Sequence, residues 1–169
     1  MIFLKIIWFF LPAYAANIAA SVFKIKPLTK PISEKLFGSH KTYSGFVTGI
    51  FLALITAGIQ SILFQFYFFQ QISYLNYEAN FLLIGFLLGF GALLGDLIKS
   101  FFKRRIGILP GEKWIPFDQI DYTLGAFFLI SFIYKPSLGF ILISVIFNLF
   151  GHIFINHLGF YLGIRKNKW

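Results

Sequence analysis

The sequence predicts an all-α integral membrane protein with five transmembrane helices, its N-terminus outside the cell and its C-terminus inside. Three observations lead there. Mean hydropathy is +0.79 and 58% of the residues are hydrophobic, with 25 Phe and only 12% charged; a soluble globule of that make-up exposes more apolar surface than water tolerates. The apolar residues fall into blocks, and about 20 such residues span a bilayer as a helix. The cations gather between alternate blocks. At 169 residues the chain makes one polytopic domain, residues 1–169.

The first block, Ile2–Phe23, carries a single charge, Lys5. Lys5, the run Ile6–Leu11 and Ala13-Tyr14-Ala15 imitate a secretory signal, but the apolar run continues to Phe23, which suits a retained helix. Pro12 favours a kink about a turn before Asn17. Phe46–Phe69 carries no charge, and Ala79–Ile98 carries only Asp96. Glycines 85, 89, 91 and 95 in this third block allow helices to approach closely. The fourth block, Ile120–Tyr134 with Asp121, rises only about 22 Å against a hydrocarbon core of about 30 Å. Either it fits the bilayer poorly or its helix begins earlier, near Asp118. Leu138–Ile164 has no formal charge. On it Asn148, His152 and Asn156 share one helical face, open to two readings: hydrogen bonds between helices, or the lining of a substrate cavity. His157 lies off that face.

Orientation follows from the basic residues. Lys24, Lys26, Lys30, Lys35 and Lys41 separate the first two blocks; Lys99, Lys103, Arg104, Arg105 and Lys113 separate the third and fourth; Arg165, Lys166 and Lys168 close the chain. Of the 15 Lys and Arg residues, only Lys5 and Lys135 fall elsewhere. The positive-inside rule assigns the loops Lys24–Ser44 and Lys99–Gln119 to the cytoplasmic side of a multi-pass protein of the plasma membrane. The net charge of +9 is then a matter of topology and not of nucleic acid. The absence of Cys excludes disulfides and thiolate metal sites. The outer loops are short and nearly uncharged, so chemistry is expected inside. The sequence neither requires nor excludes a homo-oligomer.

The stretch Gly95–Asp121 holds all three aspartates and five of the 15 basic residues. Asp118 and Asp121, at i and i+3, project from one helix face. Asp96, Lys99, Ser100 and Lys103 form a similar stripe. Ionisable groups at membrane depth are costly and face a partner or a water-filled cavity. Two readings compete. The aspartates form structural salt bridges with Lys99, Lys103, Arg104 and Arg105, or they form a hard oxygen site suited to Mg²⁺ beside cations that neutralise phosphates. Gathering every Asp of the chain in one stretch favours the second. The first loop adds "FGSHKTYSG", Phe37–Gly45, whose small residues, hydroxyl, imidazole and ammonium suit an anion.

Other layouts are absent: no P-loop, no nucleophile elbow, and no D-G-x-x-A-R run of the CDP-alcohol phosphotransferases. There is also no evident general base. A phosphate nucleophile is already ionised at neutral pH, and its reaction needs positioning and charge neutralisation more than proton removal. A small ion or metabolite transporter is the competing class. Carboxylates confined to one membrane face, none at the midplane, and no inverted repeat weigh against it.

Gly95-Asp96-Leu97, Ser100, Lys103-Arg104-Arg105, Gly107 and Asp118-Gln119-Ile120-Asp121 resemble the cytidylyltransferase signature of CDP-diacylglycerol synthases. The K-D pair of that signature is replaced by Leu109-Pro110-Gly111 and its H-G-G is absent, so contacts made by those residues are not carried over. A variant form is more similar, that of the CDP-archaeol synthases: "LPAYAAN" (Leu11–Asn17), "GSHKT" (Gly38–Thr42), "GDLIKSFFKRR", "GILPGEKW", "DQIDY" and "NHLGFYLGIRK". The resemblance covers nearly the whole chain. It implies that a membrane-lipid phosphate attacks the α-phosphorus of CTP, giving a CDP-lipid and pyrophosphate. It implies further that Asp96, Asp118 and Asp121 hold Mg²⁺. Lys103, Arg104, Arg105 and Lys113 would meet the triphosphate, Lys99 and Ser100 would share that binding stripe, and Ser39, His40 and Lys41 would complete the cradle from the first loop. The lipid tails would lie in the bilayer between helices, reaching the site sideways from the inner leaflet.

Overall fold

The computed structural model describes residues 1–109 and 112–163. Pro110, Gly111, Ile164 and the tail cations Arg165, Lys166 and Lys168 lie outside the described residues. The helices are α1 (Ile2–Val22), α2 (Glu34–Phe37), α3 (Tyr43–Leu63), α4 (Tyr67–Ile72), α5 (Tyr77–Arg105), α6 (Phe117–Ile130) and α7 (Leu138–Tyr161). Between them, among the described residues, come a 3-10 turn at Lys26–Leu28 and one bridge pairing Pro31 with Thr42.

Four helices, α1, α3, α5 and α7, are long and apolar enough to cross a membrane. Their outward faces are oily. Phe51, Ile55 and Ile59 on α3, and Leu142, Ile146, Phe150 and Phe154 on α7, are exposed at i, i+4 spacing, which is one helix face turned outward along its length. Such stripes are unfavourable in water and ordinary against acyl or isoprenoid chains.

Lipid offers no hydrophobic drive between helices, so association rests on close van der Waals packing. Small residues provide it at successive interfaces. A Cβ on Gly45 or Gly49 of α3 would stand 2.8 Å from the Ala20 carbonyl oxygen or 2.9 Å from that of Ala16 in α1. A Cβ on Gly85 of α5 would lie 2.8 Å from the Ala57 Cβ of α3, and one on Gly89 would collide with Ala53. Further along α5, a Cβ on Gly91 would come 2.6 Å from the Gly125 carbonyl oxygen of α6, and one on Gly95 would run into the Asp121 carbonyl. The glycine stripe of the third block is a packing device, as the sequence suggests. At the other end of α1, Phe9 and Phe10 meet Phe140 and Phe127 edge to face, with centroids 5.3 Å and 5.0 Å apart, tying α1 to α7 and α6.

The structure departs from the sequence reading in three respects. The second block does not form one helix to Phe69: α3 ends at Leu63 and α4 starts anew at Tyr67, with the Gln70 side chain donating to the Phe64 carbonyl at 2.9 Å across the break. The fourth block is the 14-residue α6; it begins at Phe117, as the alternative start near Asp118 required, but it rises only about 21 Å and is not among the four span-length helices. The segment Lys99–Gln119 is only partly a loop. α5 continues to Arg105, 29 residues in all with a kink at Asn80; the part beyond the kink, 81–105, rises about 37 Å, long enough for a hydrocarbon core of about 30 Å with Lys99–Arg105 on its last turns.

The first loop is also ordered. Ile32 N–H donates to the Lys41 carbonyl at 2.8 Å and Tyr43 N–H to that of Lys30 at 3.2 Å. These bonds fold the loop back on itself. α2 is thereby carried against α5, capped by the Ser33 hydroxyl, which accepts from Leu36 N–H at 3.3 Å.

Candidate active site

The glycine contacts between α5 and α6 fix the site. Gly91 and Gly95 lie against Gly125 and the Asp121 carbonyl, so the two backbones touch and run antiparallel. Asp96, next to Gly95, is thereby brought beside Asp121, and one helical turn back along α6 stands Asp118. Down α5, Asp96, Lys99, Ser100 and Lys103 share a face.

Lys99 is the hub. Its Nζ lies 3.0 Å from Asp96 Oδ1, 3.1 Å from Asp118 Oδ1 and 2.8 Å from Asp121 Oδ2. Lys103 Nζ contacts both Asp118 oxygens, at 3.0 and 3.1 Å, and donates to the Glu112 carbonyl at 2.5 Å. From the first loop, Lys41 pairs with Asp96 Oδ2. Backbone donors complete the set: Trp114 N–H to Asp118 Oδ2 and Tyr122 N–H to Asp121 Oδ1, each at 2.6 Å. Three carboxylates thus face three ammonium groups, a neutral cluster whose burial is tolerable because every charge has a partner.

In front of this cluster opens a cavity of about 310 Å³, bounded by α2, the first loop, α5, Glu112 and Lys113, α6 and α7. Of the candidate residues read from the sequence, His40, Lys41, Lys99, Ser100, Lys103, Arg104, Lys113 and Asp118 line it. Asp96 and Asp121 sit behind Lys99 and do not form its wall. Ser39 and Arg105 are not in the lining either. Ser39 is exposed on the loop, and Arg105 is exposed with its guanidinium over the Phe101 ring at 5.1 Å. The Ser100 hydroxyl donates to the Asp96 carbonyl at 2.7 Å, which spends its proton on the helix. Arg104 is the opposite case: its Nε is buried without a hydrogen-bond partner, a donor held ready for an anion.

Four lining residues, Phe37, Gly38, Glu112 and Gln119, stand inside motifs read from the sequence but were given no role of their own there. Gln119 had a signal, its position between the two aspartates of α6; its buried Oε1 lacks a partner. The polar face of α7 divides between its two readings. Asn148 accepts hydrogen bonds from the hydroxyls of Tyr14 and Tyr122, a bond between helices, whereas His152 and Asn156 line the cavity and pair with each other at 3.1 Å.

The cluster suits a hard divalent ion in donor chemistry, being all carboxylate oxygen. Among the described residues no group of three His, Asp or Glu side chains is spaced to enclose one, because the oxygens lie at ammonium distance around Lys99. Mg²⁺ seldom needs such a cage: one or two carboxylates, water and substrate phosphates serve. The fit is therefore to a metal completed by its nucleotide.

A family model described as CarS-like, CDP-archaeol synthase, matches residues 1–169. The CDP-archaeol synthase of Methanocaldococcus jannaschii is 31% identical over 168 residues, covering 96% of this chain and 95% of that protein. The Archaeoglobus fulgidus CDP-archaeol synthase is 32% identical, covering 98% and 97%. A solved structure, described as an intramembrane enzyme for archaeal membrane lipid biosynthesis, superposes with a TM-score of 0.66 at 24% identity, over 89% of this chain and 91% of that one. That last likeness is one of fold. With the four apolar helices, it makes the chain a multi-pass membrane protein.

Proposed function

The chain belongs to the CDP-archaeol synthase family, and from that premise we propose that it transfers the cytidylyl group of CTP to the phosphate of an archaeol-type isoprenoid ether lipid. It is a CTP-dependent cytidylyltransferase. A lipid phosphate oxygen attacks the α-phosphorus, the bond from that phosphorus to the α–β bridging oxygen breaks, and pyrophosphate leaves with the electron pair. Residues 1–169 act as one domain. The basic end of the bundle faces the cytoplasm from the plasma membrane, with the N-terminus outside and α6 as a short fifth crossing.

One observation carries this reading: a polar cavity at one end of an otherwise oily bundle, walled by cations, with carboxylates behind them. The attacking phosphate is ionised without help, so the protein's work is positioning and charge neutralisation. Arg104, Lys103 and Lys113 hold the β- and γ-phosphates, with Arg105 and Ser39 nearby on the rim. His40 and Lys41 approach from the first loop and hold the α-phosphate or the incoming lipid phosphate. A guanidinium grips two phosphate oxygens at once, an ammonium one. Asp96, Asp118 and Asp121 would hold Mg²⁺ together with triphosphate oxygens; the ion supplies charge neutralisation at the leaving pyrophosphate. Lipid tails remain in the bilayer beside the helices.

Purified protein given CTP, Mg²⁺ and a panel of lipid phosphates should form a CDP-lipid and pyrophosphate in equal amounts. EDTA should stop the reaction and added Mg²⁺ restore it. Hydrolysis of CTP independent of any lipid phosphate would refute the proposal.

A further inference from the structure

Lys99 lies in the wall of the cavity, yet its chemistry is already committed. An ammonium has three N–H donors and no acceptor. Three carboxylate oxygens, one from each aspartate, stand at 2.8–3.1 Å from its Nζ. Its side chain is 14% exposed, against 26% for Lys41, and it leaves the helix face that Gly95 presses against α6. No donor is left over for a phosphate. Lys41, by contrast, spends itself on one carboxylate from a surface loop, and Arg104 keeps a buried, unpartnered Nε.

We infer that Lys99 is a positioning residue: a resident internal cation that gathers Asp96, Asp118 and Asp121 into one cluster and is not a ligand of the triphosphate. The inference rests on the reading of those aspartates as the metal-holding set. It follows that the site reserves one cation position for the protein itself. Lys41 and Lys103 are the cations that would yield carboxylate oxygens to a divalent ion and turn toward the cavity as the nucleotide loads. Lys99 stays where it is.

The experiment separates metal from nucleotide. Mn²⁺ alone is titrated into detergent-purified protein and followed by its paramagnetic resonance signal; CTP alone is titrated separately by calorimetry. In Lys99→Met, which keeps length but not charge, three carboxylates lose their shared counter-charge. Mn²⁺ should bind about tenfold or more tighter, while the CTP dissociation constant stays within about twofold of wild type. Lys99→Arg keeps the charge and should hold Mn²⁺ affinity within about threefold of wild type. As a contrast, Arg104→Ala should weaken CTP and leave Mn²⁺ unchanged. If Lys99→Met weakens CTP about tenfold with Mn²⁺ unchanged, Lys99 is a triphosphate ligand and the inference is wrong; unchanged values for both, or weaker Mn²⁺ binding, overturn it equally. Should Lys99→Met not elute as a folded species, Lys99→Gln carries the same comparison, and failure of both to fold would make Lys99 a residue of the fold alone. A wild-type protein that binds CTP but forms no CDP-lipid defeats the proposed function and leaves the Lys99 result standing.

Discussion

The bundle has a cavity at each end, and they differ in one respect that matters. One, of about 310 Å³, is lined by His40, Lys41, Lys99, Lys103, Arg104, Lys113, Glu112 and Asp118. The other, of about 240 Å³, is lined by Tyr74, Leu75, Asn76, Asn80, Leu83, Ile84, Ile133 and Tyr134. Their volumes are similar and each sits between α5 and its neighbours. Only the first concentrates ionisable groups of both signs, and these are costly near a bilayer unless partnered. The second is neutral, with Lys5 nearby resting over the Tyr74 ring at 5.0 Å. The proposed function is accordingly assigned by buried charge and not by space.

The comparison breaks most sharply at the aspartates. Asp118→Asn and Asp121→Asn remove charge and almost no volume, so turnover should fall on the order of 10³-fold or more while the protein elutes from detergent as wild type does. Turnover near wild type in both would mean that the charged end is only a set of salt bridges.

The next effect concerns how the charged end is built. Gly95→Val drives a side chain into the Asp121 carbonyl and should cost about 1–3 kcal/mol or more of overpacking, lowering the melting temperature and turnover together. Gly139→Ala, with nothing within 4 Å, should leave the melting temperature unchanged. Equal melting temperatures for the two variants would mean that α5 and α6 are not in backbone contact.

A smaller difference is expected between adjacent arginines. Arg104→Ala should raise the KM for CTP about tenfold, the loss of one charge-assisted contact; Arg105→Ala should change it less than about twofold, as an exposed cation does. The reverse order would reassign the triphosphate to the outer face of α5. Least of all should follow at the neutral end, where Asn80→Ala and Tyr134→Phe are expected to keep turnover within about twofold. A large loss there would make the second cavity part of the catalytic apparatus.

Much of this was legible in the sequence. Long apolar blocks give α1, α3, α5 and α7, and the spacing of Asp96, Lys99, Ser100 and Lys103 gives their shared face. The place of Arg105 outside the cavity lining was legible too: it follows Asp96 by nine residues, two and a half turns at about 3.6 residues per turn, which puts it on the opposite face. Three things could not be read. The partner of Lys41 is 55 residues away in Asp96, a pairing set by the fold of the first loop. The gathering of three carboxylates on Lys99, with Arg104 and Arg105 left out of the salt bridges, depends on where α6 docks. The break between α3 and α4 falls within a continuous apolar block where periodicity is silent.

The central claim is that the charged cavity moves the α-phosphate of CTP onto a lipid phosphate. Its most direct test follows two labels through one reaction, with CTP carrying radioactive phosphorus at either the α or the γ position and archaetidic acid (the phosphate ester of archaeol) as acceptor. Label from the α position should pass into the organic phase with the lipid, and label from the γ position should stay in water as pyrophosphate. Appearance of the γ label in the lipid, or of neither label, would contradict the assignment outright.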